Sequence, residues 1–94
     1  MDIKEAFAVA LKQVRTAKRL TQEDFSNVSS RTYVSTLERG LKNPTLDKIE
    51  DLANVMEIHP LTLITFAYMV GRSDLDSVEL FSLVTKQLDQ LALL

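Results

Sequence analysis

The chain has no cysteine, which excludes disulfides and thiolate metal sites. It has a single histidine, His59, and one imidazole alone does not make a metal centre. No metal and no cofactor are therefore expected. The most apolar stretch, residues 61–70, is about half of the ~20 residues that a membrane helix needs. The opening MDIKEAFAVA carries acid early and lacks the sustained apolar run of a secretory leader. There is no Gly/Ser linker, low-complexity tract or internal repeat, and no alternating strand pattern. No nucleophile stands with a base, and no glycine loop could cradle a phosphate. Glu23 and Asp24 are adjacent rather than facing, a placement that suits a helix dipole better than acid–base chemistry. These absences lead to the expectation of a cytoplasmic, non-enzymatic, all-α protein without a membrane partner.

Ninety-four residues, 46% hydrophobic and 26% charged, suffice for one domain with one core. A net charge of −2 argues at first against a polyanionic partner, but the charge is unevenly placed. Residues 12–48 hold eight bases against four acids, a net of +4, while residues 49–94 carry a net of −5. Local charge, not the total, sets the field that a phosphate meets.

Helical spacing of Ile3, Phe7, Ala10, Leu11 and Val14 predicts a first helix over about residues 3–18. Thr21 caps a short second helix that ends at Phe25. Ser30 caps a third, residues 31–39, and Gly40 closes it in the left-handed conformation. Asn43-Pro44 marks a loop, and Thr45 caps a fourth helix with Leu46, Ile49, Leu52, Ala53 and Met56 on one side. His59-Pro60 reads as a cap and first position of a fifth helix, which is apolar all round to Val70 and so is buried or part of an interface. A last helix spans about residues 75–91.

On a wheel of about 100° per residue, the third helix seats Val34, Leu37 and Glu38 on one side. Thr32, Thr36 and Arg39 fall opposite, with Ser35 at the edge. Arginine can make paired bonds to guanine O6 and N7, and threonine can offer a methyl to thymine or a hydroxyl to a base edge. Standing alone, this pattern fits an ordinary solvated helix face better than a DNA-reading one.

Its surroundings add to it. Leu20-Thr21-Gln22-Glu23-Asp24-Phe25, the run Ser30 to Gly40, and Asn43-Pro44-Thr45-Leu46 stand in register with Arg15 upstream and Leu52-Ala53 downstream. Over about residues 4–66 the sequence resembles the lambda-repressor-like, or xenobiotic-response-element (Cro/C1-type), family of helix-turn-helix regulators. The resemblance implies a compact five-helix DNA-binding domain over residues 1–71, with its helix-turn-helix at about 21–40, followed by a C-terminal helix over 72–94. It implies that Gln22 binds backbone phosphate and braces the recognition helix. Arg31, Thr32 and Thr36 then contact bases, with Ser30, Tyr33 and Ser35 at the flanks, and Arg39, Lys42 and Asn43 meet phosphates. It also implies a partly buried ion pair between Arg15 and Glu38 that ties two helices together.

The chain departs from the family pattern in three respects, the first being its acidic balance, which implies a low non-specific affinity for DNA. The link between the second and third helices is about two residues shorter than the commonest form. Arg19 and Glu57 stand where relatives often have glycine, so positive φ at either would store about 1 kcal/mol of strain.

In the last helix Phe81, Val84, Leu88 and Leu91 recur at helical spacing, widened by Val78, Leu80 and Leu83. They suggest a homodimer interface, although the helix could instead fold back over the fifth. The function expected is a dimeric repressor that binds a pseudo-palindromic double-stranded operator and controls its own operon, nucleoid-associated when bound. The alternatives are an antitoxin, a restriction-modification controller, and a protein-interaction module without DNA binding; a toxin or polymerase is the protein partner these imply.

Overall fold

A computed structural model describes residues 1–72 and 74–92 of the chain, and every regular element among them is a helix. The elements are α1 (Ile3–Ala17), a 3-10 helix (Gln22–Phe25), α2 (Arg31–Glu38), α3 (Leu46–Val55), α4 (Pro60–Gly71) and α5 (Ser77–Gln90). No strand occurs among the described residues.

The starts of these helices follow from their cap residues. Ser30 Oγ accepts from the Tyr33 N–H at 3.0 Å, and Thr45 Oγ1 from the Lys48 N–H at 3.1 Å. His59 Nδ1 accepts from the Leu61 N–H at 3.0 Å, with Pro60 at the first helical position. Asp2 and Asp76 cap α1 and α5 in the same way. Each bond satisfies an amide that the helix itself leaves without a partner.

Three helix ends share one geometry. After α1, the Leu20 N–H bonds the Arg15 carbonyl and the Arg19 N–H bonds that of Thr16. The same pair of bonds closes α2 at Gly40–Leu41 and α3 at Glu57–Ile58. This pattern needs a left-handed residue at the turn, and φ is +60° at Arg19, +72° at Gly40 and +57° at Glu57. Only one of the three is glycine. Arg19 and Glu57 adopt the left-handed conformation that ordinarily favours glycine, at a cost of about 1 kcal/mol each.

The core lies where α1, α2, α3 and α4 converge on Phe25 of the 3-10 helix, which has no exposed surface. Leu11, Val34, Leu37, Leu52 and Leu63 are likewise fully buried. Small residues let α4 approach α1 closely: a Cβ on Gly71 would lie 3.5 Å from the Cβ of Ala6. Two residues of the predicted apolar faces do not join this core. Ile3 is 49% and Leu46 78% exposed. Each opens its helix, so its position lies beyond the neighbours that cover the following turns.

The all-apolar α4 is both buried and exposed. Leu63 and Ala67 face the core, while Leu61 and Tyr68 remain about half in solvent, at 53% and 49%. Helix α5 packs on α4, but none of its residues is fully buried.

Candidate nucleic-acid interface

The shortened link takes its form from the 3-10 helix. Tighter than an α-turn, this helix ends after four residues, and the Phe25 carbonyl then accepts from both Val28 and Ser29 at 2.9 Å. The second helix is thus a single 3-10 turn rather than a short α-helix. Its entry is held by Asp24, whose carboxylate accepts from the Thr21 N–H at 2.7 Å and from the Thr21 hydroxyl at 3.1 Å.

Helix α2 is seated from within. Val34 and Leu37 have no exposed surface, and the Glu38 side chain keeps only 4% of its own. Glu38 accepts from Arg15 Nε at 2.6 Å and Nη2 at 2.9 Å, and from Gln22 Nε2 at 3.1 Å. Arg15 uses its remaining edge as well, donating from Nη1 to the Leu20 carbonyl at 2.9 Å. One guanidinium therefore joins α1, the entry to the 3-10 helix and α2. Its pKa is raised further by the hydrogen bond to Glu38, against the opposing effect of burial, so the cation persists throughout the range in which proteins are folded. Gln22 has its amide nitrogen turned to Glu38, since a carboxylate can only accept.

The opposite side of α2 is open. Arg31, Thr32 and Arg39 are exposed, and Thr36 and Ser35 are half-buried at its border. The Thr36 hydroxyl donates to the Thr32 carbonyl at 2.8 Å. That spends its proton inside the helix, so towards a partner the hydroxyl oxygen can only accept. Arg31 carries one bond, from Nη1 to Glu23 Oε1 at 3.1 Å. Ser30 stands in front of this face with its Oγ engaged in the cap.

Tyr33 has two cations near its ring. Lys42 Nζ is 6.0 Å and Lys48 Nζ 5.5 Å from the centre of its ring, within reach of the π-face. Lys48 also donates to the Val28 carbonyl at 2.6 Å, fastening α3 to the link before α2. Sequence reasoning missed Lys48, and it missed the Glu23–Arg31 pair. A signal for Lys48 existed: it precedes Leu52 by one helical turn and so borders the buried stripe of α3. Asn43, expected at phosphate, is exposed and lines a groove of about 220 Å³ with Ile3, Pro44 and Leu46.

The residues expected at the dimer interface divide. Phe81 and Val84 are 47% and 40% exposed and wall a groove of about 380 Å³ against Leu61, Ile64 and Tyr68 of α4. Leu88 is half-buried, and Leu91 follows the end of α5 at 65% exposure.

Among the described residues, no group of acidic or histidine side chains could hold a metal, and no helix is long and apolar enough to cross a membrane. A family model described as helix-turn-helix matches residues 11–63, a span running from α1 to the start of α4. The chain is 34% identical over 68 residues to the control protein C.BamHI of Bacillus amyloliquefaciens, covering 69% of this chain and 84% of that protein. It is 34% identical over 67 residues to the HTH-type transcriptional regulator y4dJ of Sinorhizobium fredii, covering 69% and 87% of the two. The control protein C.SmaI of Serratia marcescens is 34% identical over 67 residues, covering 69% and 80%. With the braced α2 and its open polar face, these matches show that the chain belongs to the Cro/C1-type helix-turn-helix family of DNA-binding transcriptional regulators.

Proposed function

We propose that this regulator works as a homodimer on a pseudo-palindromic operator, one copy of α2 entering each of two successive major grooves, and that it represses its own operon. Arg31, Thr32 and Thr36 read bases, with Ser30, Tyr33 and Ser35 at the edges of the contact. Gln22, Arg39, Lys42 and Asn43 engage the phosphate backbone. Residues 1–71 carry DNA recognition, and residues 72–94 carry dimerisation.

The observation behind the dimer is the uncovered apolar surface that α4 and α5 share. Leu61 and Tyr68 on one helix, and Phe81, Leu83 and Val84 on the other, are between 40% and 53% exposed. A contiguous patch of this kind on a small protein points to an interface. One helix-turn-helix reads few base pairs, and two related by a two-fold axis read half-sites about 34–36 Å apart. The acidic half of the chain is then best placed away from the phosphates.

Two measurements test this reading. Selection from a random duplex pool should return an inverted repeat, and light scattering at micromolar concentration should give twice the chain mass. A monomer mass together with a single unrepeated site overturns it. One further reading has specific support. Two of the relatives are named control proteins, and the chain covers 84% and 80% of them, so control of a restriction-modification operon fits the same geometry. Genes for a nuclease and a methyltransferase beside this one would favour that role.

A further inference from the structure

We infer that Glu23 is a specificity-determining residue, holding Arg31 by one corner so that its other edge is aimed at guanine. The inference rests on the reading of Arg31 as a base contact. With Phe25 accepting from both Val28 and Ser29, the chain turns back at once, and Glu23 of the 3-10 helix comes within hydrogen-bond reach of Arg31 at the start of α2. Successive residues of a 3-10 helix are about 120° apart, so Gln22 and Glu23 go to different sides. Gln22 turns inward to Glu38, and Glu23 meets Arg31 at the surface.

The bond occupies Arg31 Nη1. The side of the guanidinium that carries Nε and Nη2 makes no hydrogen bond to the described residues, and that edge has the two parallel donors that guanine O6 and N7 require. Glu23 therefore leaves the reading edge available while limiting the rotamers of an otherwise loose side chain. Its charge has a second effect. Beside a carboxylate, the guanidinium attracts a passing phosphate less, which lowers affinity for unrelated DNA. Both groups are about two-thirds exposed, at 68% and 69%, and a pair so open adds little to folding stability. Its effect belongs to recognition.

The test uses full-length Glu23→Gln, Arg31→Ala and the double variant. Each is titrated against the selected operator, against that operator changed at the base pair where Arg31→Ala relaxes preference, and against random duplex. Glu23→Gln should keep the wild-type melting midpoint, bind random duplex about two- to fivefold more tightly, and lose about two- to fivefold in discrimination at that base pair, the span open to an exposed pair. In the Arg31→Ala background the same change should leave discrimination where it was. Wild-type discrimination in Glu23→Gln, or an equal loss in both backgrounds, overturns the inference about Glu23 while Arg31 stays a reading residue. If Arg31→Ala itself binds the operator as wild type does, the base-reading assignment falls, and the inference with it.

Discussion

Helix α2 presents two faces under opposite demands. Inside, Val34 and Leu37 are sealed from water, and Glu38 accepts three hydrogen bonds at the junction of α1, the 3-10 helix and α2. Outside, Arg31, Thr32 and Arg39 stand in solvent, and Arg31 has a single partner as exposed as itself. Each face carries one ion pair, yet the two pairs differ in kind. Arg15 and Glu38 retain 11% and 4% of their side-chain exposure, so either one left alone would be a charge largely withdrawn from water. Arg31 and Glu23 remain hydrated whether or not they meet, which suits the proposed exchange of this partner for DNA. The inner face fixes where α2 points, and the outer face, where DNA contact is proposed, is left open to solvent.

This contrast can be broken from either side. Leu37→Ala should cost most, about 2–5 kcal/mol of stability, because it opens a cavity between α2 and the core. Urea titration followed by circular dichroism measures it, and a loss below 1 kcal/mol would mean that the seat can collapse around the smaller side chain. Glu38→Ala strands a part-buried guanidinium and the Gln22 amide. The loss should fall near the low end of about 3–5 kcal/mol, since Arg15 keeps its bond to Leu20 and some access to water. An unchanged melting midpoint would show that the pair contributes nothing.

On the outer face, Arg31→Ala should leave the melt unaltered and cost about 1–3 kcal/mol in operator binding, with relaxed choice at one base pair per half-site. Glu57→Gly sharpens the comparison by touching neither face. It replaces a left-handed non-glycine residue and should raise stability by about 0.5–1 kcal/mol with operator affinity unchanged. The smallest effect is expected at Lys42, proposed to meet phosphate. Lys42→Ala should weaken binding to all sequences alike and reduce the slope of log affinity against log salt by about one. A sequence-dependent loss there would place Lys42 among the reading residues.

Much of the frame was legible in the residues because it depends on neighbours in the chain. Ser30, Thr45 and His59-Pro60 announce helix starts through bonds that span two or three positions. Arg19 and Glu57 could be flagged as left-handed positions by the resemblance alone, and both are. The wheel of α2 separated Val34 and Leu37 from Thr32 and Arg39 correctly. Periodicity failed where coverage matters: it put Ile3 and Leu46 on apolar faces but could not say that nothing lies over a helix's first turn.

Local chemistry alone therefore determined the all-helical class, most helix boundaries and which side of α2 is polar. These follow from backbone hydrogen bonding, capping and the 3.6-residue period, which act over a few residues. Tertiary structure decided the rest. That Lys48 fastens the Val28 carbonyl across 20 residues, that Glu23 stands beside Arg31, and that α5 covers α4 only in part are consequences of how the helices meet. Contacts between residues far apart in the chain depend on where the whole core places their backbones. No local pattern encodes that placement, because many packings satisfy the same caps and periods.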